Sequence, residues 1–165
     1  MFCFQCEQTA RGTACTTTGV CGKSASQAGL QDRLTGTLVA LARAEDNHAT
    51  EATWRIVLEG LFTTITNVSF SDEAVEAQIQ KTMEEIDRLC ALSADPKNCS
   101  CEPLDMDTLW NGNEDVRSLK SLLLLGLRGM AAYAYHAYVL GLTDDTVNRF
   151  MLKALKTLGE DLPAE

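Results

Sequence analysis

Histidine is nearly missing from this chain: His48 and His136 are the only two in 165 residues. A lone histidine is more often a hydrogen-bonded or surface residue than a metal ligand, and neither has a metal-like partner four residues on. Neither is assigned to a site. Long apolar runs are missing too. No window approaches 18 uninterrupted apolar residues, which excludes a membrane-spanning helix. Positive charge is in deficit, with a net charge of -9, so a nucleic-acid backbone is excluded as a natural partner. No run has the period-two alternation of a strand, and no internal repeat or low-complexity tract occurs. A cleaved secretory leader is not expected, since the first cysteine follows Met1 by two residues and cleavage would remove or crowd it. The expected location is cytoplasmic and reducing. With 165 residues and 45% hydrophobic content, one domain with a real core is the default.

Cysteine, by contrast, is concentrated. Four of the seven, Cys3, Cys6, Cys15 and Cys21, fall in the first 21 residues with the spacing C-x2-C-x8-C-x5-C. Gly12, Gly19 and Gly22 let the backbone between them turn sharply, and four thiolates without a histidine suit one soft metal centre. An iron-sulfur cluster is the first reading. Structural zinc remains an alternative, although zinc ribbons usually present two tight C-x2-C pairs and only the first pair here has that form. A disulfide framework suits small secreted domains with insufficient cores. A redox-active C-x2-C normally opens a helix beside a strand, and no strand pattern follows. The spacing is neither of the common ferredoxin runs.

Phe2-Cys3-Phe4-Gln5-Cys6-Glu7-Gln8-Thr9, then Cys15, then Gly19-Val20-Cys21-Gly22-Lys23 closely resembles the N-terminus of the hybrid cluster proteins, also called hydroxylamine reductases. Leu30-Gln31-Asp32-Arg33-Leu34, Thr64 to Phe70, and Gly126 to Tyr133 with His136 and Ala137 look like later segments of the same N-terminal domain, in the same order. The resemblance implies that Cys3, Cys6, Cys15 and Cys21 are cofactor-binding metal ligands. It implies a 4Fe-4S cubane, as in the family's shorter-spaced branch, with 2Fe-2S or zinc as the alternatives. Family members are several times longer, and their further domains supply the ligands of the hybrid cluster where substrate is reduced. This chain ends before any of them. The resemblance therefore implies an electron relay with no catalytic residues of its own, partnered by a redox donor protein or by those missing catalytic domains. Whether the chain is itself an enzyme stays open. A metal-stapled interaction or oligomerisation module, or a redox sensor, is the alternative, with homo-oligomers possible.

The rest of the chain reads as helical. The expected architecture is all-α, a bundle of about five helices, with residues 1-24 as the cluster-binding loop and 25-165 as the bundle. Ser24 with Gln27 has the form of a capping box, and Leu30, Leu34, Leu38 and Leu41 recur on one face of a helix over roughly 25-45. Trp54, Val57, Leu58, Leu61, Phe62, Ile65 and Val68 form a second stripe. Ser71, with Asp72 and Glu73 behind it, caps a third helix whose face is Val75, Ile79, Met83, Ile86 and Leu89. Residues 93-113 show no sustained period, and Pro96, Pro103 and Gly112 mark a long loop. Residues 114-140 form the longest helix, with Val116, Leu119, Leu123, Leu127 and Met130 inward. Thr143, Asp144 and Asp145 start a last one with the face Val147, Phe150, Met151, Ala154, Leu155 and Leu158.

Three further expectations bear on function. Cys90 reads as plain core and the Cys99/Cys101 pair as incidental, because free cysteine packs as a small hydrophobe. Gly126 and Gly129 each cost a helix about 1 kcal/mol relative to alanine, so close approach of another helix or of the cysteine loop is expected there. Trp54, Tyr133, Tyr135 and Tyr138 read as core and interface packing, with some rings exposed or covered by a partner.

Overall fold

The computed structural model describes residues 2-3, 5-6, 13-95, 99 and 101-163. Phe4, Glu7, Gln8, Thr9, Arg11, Gly12 and Pro96 lie outside them. Six helices form: α1 (Ala25–Ala44), α2 (Glu51–Thr63), α3 (Asp72–Leu92), α4 (Met106–Trp110), α5 (Glu114–Val139) and α6 (Asp145–Leu158). The expected bundle is there, with α4 as a short extra turn inside the long loop. Asp105 starts it by accepting the Asp107 N–H at 3.0 Å. Among the described residues the only β feature is a single antiparallel bridge, and it lies between two of the motif cysteines, Cys3 and Cys15.

The axis of the molecule is α1. From Leu34 to Ala42 every residue is buried, and a helix apolar or small all round is one surrounded by others. Its chief neighbour is α3, followed by α6 and α2, while α2 also packs on α5. The buried hydroxyls of Thr35 and Thr37 stay satisfied by donating to the carbonyls of Gln31 and Arg33 one turn back, both at 2.8 Å. The capping box forms as read: Gln27 N–H donates to Ser24 Oγ at 3.2 Å and Ser24 N–H to Gln27 Oε1 at 2.9 Å. Ser71 likewise caps α3, accepting from Ala74 N–H at 3.1 Å. Such caps are worth about 1 kcal/mol each.

Several expected faces are rotated. In α5 the buried residues are Leu124, Leu127, Arg128 and Ala131, whereas Leu119 is exposed and Val116, Leu123 and Met130 are half-buried. Four successive leucines, 122-125, wrap right round the helix, so periodicity cannot choose among them and packing against α2 does. In α3, Thr82 takes the buried place and Met83 turns outward; in α6, Leu152 is buried and Phe150 exposed. The second stripe ends early, because α2 stops at Thr63 and Val68 is exposed.

The glycine expectation is corrected. A Cβ on Gly126 or Gly129 would meet nothing within 4 Å. The close approach is instead at Gly36 in α1, where a Cβ would sit 2.0 Å from the Leu104 carbonyl oxygen. Leu104 N–H donates to Gly36 O at 3.1 Å, so the segment entering α4 lies directly on the α1 backbone. Cys90 and Cys99 are corrected as well: they form a disulfide joining the last turn of α3 to that segment, with Cys101 a free, exposed thiol.

Candidate metal centre

The four N-terminal cysteines lie on a loop folded over the first two turns of α1. Cys3 and Cys15 exchange backbone hydrogen bonds, each N–H donating to the other's carbonyl at 3.0 Å. Residues paired this way in an antiparallel ladder carry their side chains on the same face, with Cβ atoms about 5 Å apart. Cys3, Cys15 and Ala28 of α1 form a small apolar cluster of their own. Cys21 is placed by a tight turn: Gly22 N–H donates to Gly19 O at 2.9 Å and Gly19 N–H to Lys23 O at 2.8 Å. Gly22 has φ of +89°, a conformation glycine adopts at little cost. At Gly19 a Cβ would come within 3.1 Å of Cys21 Sγ, so a side chain there would press on the sulfur. Cys6 and Cys21 are half-buried, Cys3 and Cys15 buried.

Beneath the loop lies a polar layer that motif reading missed. Gln5, between the first two cysteines, is 4% exposed; its amide donates to Asp32 Oδ1 at 2.7 Å and its carbonyl accepts from Lys23 Nζ at 3.0 Å. Lys23, also buried, donates to Gln31 Oε1 as well. Arg128 reaches in from α5 and fans out: Nε donates to Thr64 Oγ1 at 3.0 Å, Nη2 to Thr35 Oγ1 at 3.2 Å and Nη1 to the Gln5 backbone carbonyl at 3.5 Å. One guanidinium thereby ties α1, the end of α2 and the cysteine loop to α5.

The electrostatics follow from burial. Burial pushes the Asp32 carboxyl up to about 6, against the pull of its hydrogen bond from Gln5 and the positive charges of Arg128 and Lys23. Burial pushes Arg128 down to about 10, with Asp32, Cys3 and Cys6 opposing. The Cys3 thiol is raised, again chiefly by burial, opposed by the Gln5 backbone N–H and Lys23. The floor of the site thus holds two buried cations against one buried acid, a surplus of positive charge below four thiols.

Among the described residues no three His, Cys, Asp or Glu side chains converge on a point that would hold a metal ion. The structure carries the four thiols on one N-terminal segment and brings Cys3 and Cys15 side by side. The donor set nevertheless fits a soft metal centre: four sulfurs within 19 residues of chain and buried cations placed to offset thiolate charge. His48 and His136 take no part; the His136 ring lies edge-on to Phe62 at 5.5 Å, at the far end of α5. Tyr135 stacks on Phe62 at 4.5 Å, while Tyr133 points to solvent.

These features define a class: an all-α domain presenting a four-cysteine loop over a buried cationic floor. Comparison with known proteins gives the family. Residues 1–163 match the Prismane/CO dehydrogenase family, and the chain belongs to it. It is 38% identical over 189 aligned residues to the hydroxylamine reductase of Thermoanaerobacter pseudethanolicus, a match covering 100% of this chain and 35% of that protein. It is 37% identical over 193 residues to that of Nitratidesulfovibrio vulgaris, covering 100% and 35%. With the Methanosarcina mazei hydroxylamine reductase the identity is 38% over 180 residues, covering 98% and 33%. The chain spans about a third of the length of these relatives.

Proposed function

We propose that this chain is an iron-sulfur electron-transfer domain, holding one 4Fe-4S cluster on Cys3, Cys6, Cys15 and Cys21 and passing electrons towards a hybrid-cluster site that reduces hydroxylamine or nitric oxide. The carrying observation is the four-thiol loop seated on the buried Lys23 and Arg128. When bound, the cluster supplies one-electron storage at a potential set by local charge, hydrogen bonds to sulfur and solvent exposure. The chain's own residues govern those levers. Arg128 and Lys23 offset negative charge, Gln5 fixes the loop on α1, and Phe2, beside Cys3, lies against Trp110 with ring centroids 6.3 Å apart. A cytoplasmic, anaerobic setting suits such a centre.

The partner surface we assign to α5. Leu122 and Tyr133 lie on one face of it, with Leu140 just past its end, and are 68%, 83% and 79% exposed, with the open Gly126 and Gly129 between Leu122 and Tyr133. An apolar face of this size marks an interaction surface. Its occupant, in this reading, is the polypeptide that makes up the other two thirds of the relatives' length and carries their catalytic site.

The test is iron and sulfide analysis with a visible spectrum on anaerobically purified protein, alongside Cys6→Ser and Cys15→Ser. Four irons and four sulfides per chain, lost in both variants and kept in Cys90→Ser and Cys101→Ser, support the assignment. A colourless protein holding zinc would show instead that the metal is a structural staple, and full iron in Cys15→Ser would overturn the ligand set.

A further inference from the structure

A second group of sulfurs stands apart from the first. Cys90 and Cys99 are disulfide-bonded with Cα atoms 5.6 Å apart, and both are half-buried against the main core. Cys101 is exposed and unbonded, and its N–H donates to the Cys99 carbonyl at 2.9 Å, which folds it back beside Cys99. Three residues further, Leu104 is pinned to Gly36. Two sulfurs are thus half-buried and bonded, and a third residue, its thiol open to solvent, is tied to one of them through the backbone.

In a reducing compartment a disulfide does not persist as a passive staple; those that form there are transient and belong to exchange or sensing chemistry. We propose that Cys90, Cys99 and Cys101 form a thiol–disulfide exchange site for low-molecular-weight thiols and their disulfides, independent of the metal centre. In the oxidising direction the Cys101 thiolate attacks a sulfur of a disulfide RSSR, forming the Cys101–SR mixed disulfide and releasing one RSH. The Cys99 thiolate then attacks Cys101 Sγ and expels the second RSH. The Cys99–Cys101 bond closes too tight a ring to be a resting state, so the Cys90 thiolate attacks Cys99 Sγ. That forms the observed Cys90–Cys99 bond and restores the Cys101 thiol. Two protein thiols lose two electrons and two protons, and RSSR becomes two RSH; excess thiol runs the sequence backwards. Exposure makes Cys101 the entry point, since exchange needs access to the attacked sulfur.

The experiment uses the full chain, purified under argon, with glutathione as the thiol and peptide mapping after alkylation. Starting from reduced protein and oxidised glutathione, the parent is expected to end with Cys90–Cys99 bonded. Cys101→Ser should reach the same bond at least about tenfold more slowly, and Cys99→Ser should trap glutathione on Cys101. In mixtures of reduced and oxidised dithiothreitol the parent pair should interconvert fully and reversibly. An unchanged rate in Cys101→Ser, which is a solvent-facing substitution, would overturn the proposal. So would first capture of glutathione at Cys90, or a pair that stays bonded at every dithiothreitol ratio.

Discussion

Arg128 invites a perturbation whose sign depends on what the loop holds. Burial lowers it from its ordinary range to about 10, a net penalty on its charge of about 3 kcal/mol. Against this stand its hydrogen bonds to Thr64, Thr35 and Gln5, about 1 kcal/mol each. The two nearly cancel, so in metal-free protein Arg128→Met should fall within about 1–2 kcal/mol of the parent, as expected when a poorly compensated buried charge gives way to an apolar side chain. Once the four cysteines are thiolates on a metal centre, the guanidinium gains the counter-charge it lacks. Its removal should then cost about 3–5 kcal/mol. At about 2–4 °C per kcal/mol for a domain of this size, the variant should show a Tm deficit of a few degrees without metal and roughly 6–20 °C with it. The assay is thermal unfolding of parent and variant, each chelator-stripped and reconstituted under argon. Equal deficits in the two forms would refute the reasoning and reduce Arg128 to a structural tie.

Glu85 is buried, and although burial acts to raise it, hydrogen bonds from Arg88 and Thr53 together hold it below its ordinary 4.5. Its contribution is therefore present above that value and lost as pH falls through the lower folded one, so Glu85→Gln should cost about 1–3 kcal/mol at pH 7 and the difference should shrink in urea titrations run progressively below pH 4.5. Gly126→Ala, with open space around it, should raise the stability of this chain by up to about 1 kcal/mol, whereas Gly36→Ala must displace the Leu104 carbonyl and should cost about 1–3 kcal/mol or more; paired calorimetry decides, and equal signs would contradict the packing described. If the proposed four-cysteine ligand set holds, it leaves no open coordination position for a substrate, and dithionite and a viologen under argon should yield no catalytic ammonia from hydroxylamine beyond a no-protein control.

What the sequence made legible was local. The Ser24 and Ser71 caps, the five longer helices and the cysteine spacing depend on residues within one or two turns of each other, where short-range geometry rules. The floor of the site was not legible, because Arg128 is joined to Gln5, Thr35 and Thr64 across separations of 123, 93 and 64 residues. A signal did exist: Arg128 falls on the stripe Leu124, Leu127, Ala131, and a charge on an inward stripe needs a buried partner. Gln31 and Asp32 gave the same hint near the start of α1. The Cys90–Cys99 bond was hidden for another reason, since spacing alone does not fix which cysteines pair.

The two sulfur groups share a single helix. Ala28, Gln31, Asp32 and Thr35 of α1 carry the N-terminal loop, and Gly36, one residue on, carries the segment that leads from Cys101 into α4. Asp32 faces both ways. Gln5 binds it on one side, and on the other it lines a cavity of about 360 Å³ with Gly29, Arg33 and residues 103-107. From there α4 brings Trp110 against Phe2, next to Cys3. Opening the Cys90–Cys99 bond would free that segment from the end of α3 and leave the Leu104–Gly36 contact in place. The two sulfur groups thus meet α1 through separate contacts, Gly36 for the segment after Cys101 and Ala28, Gln31 and Asp32 for the cysteine loop.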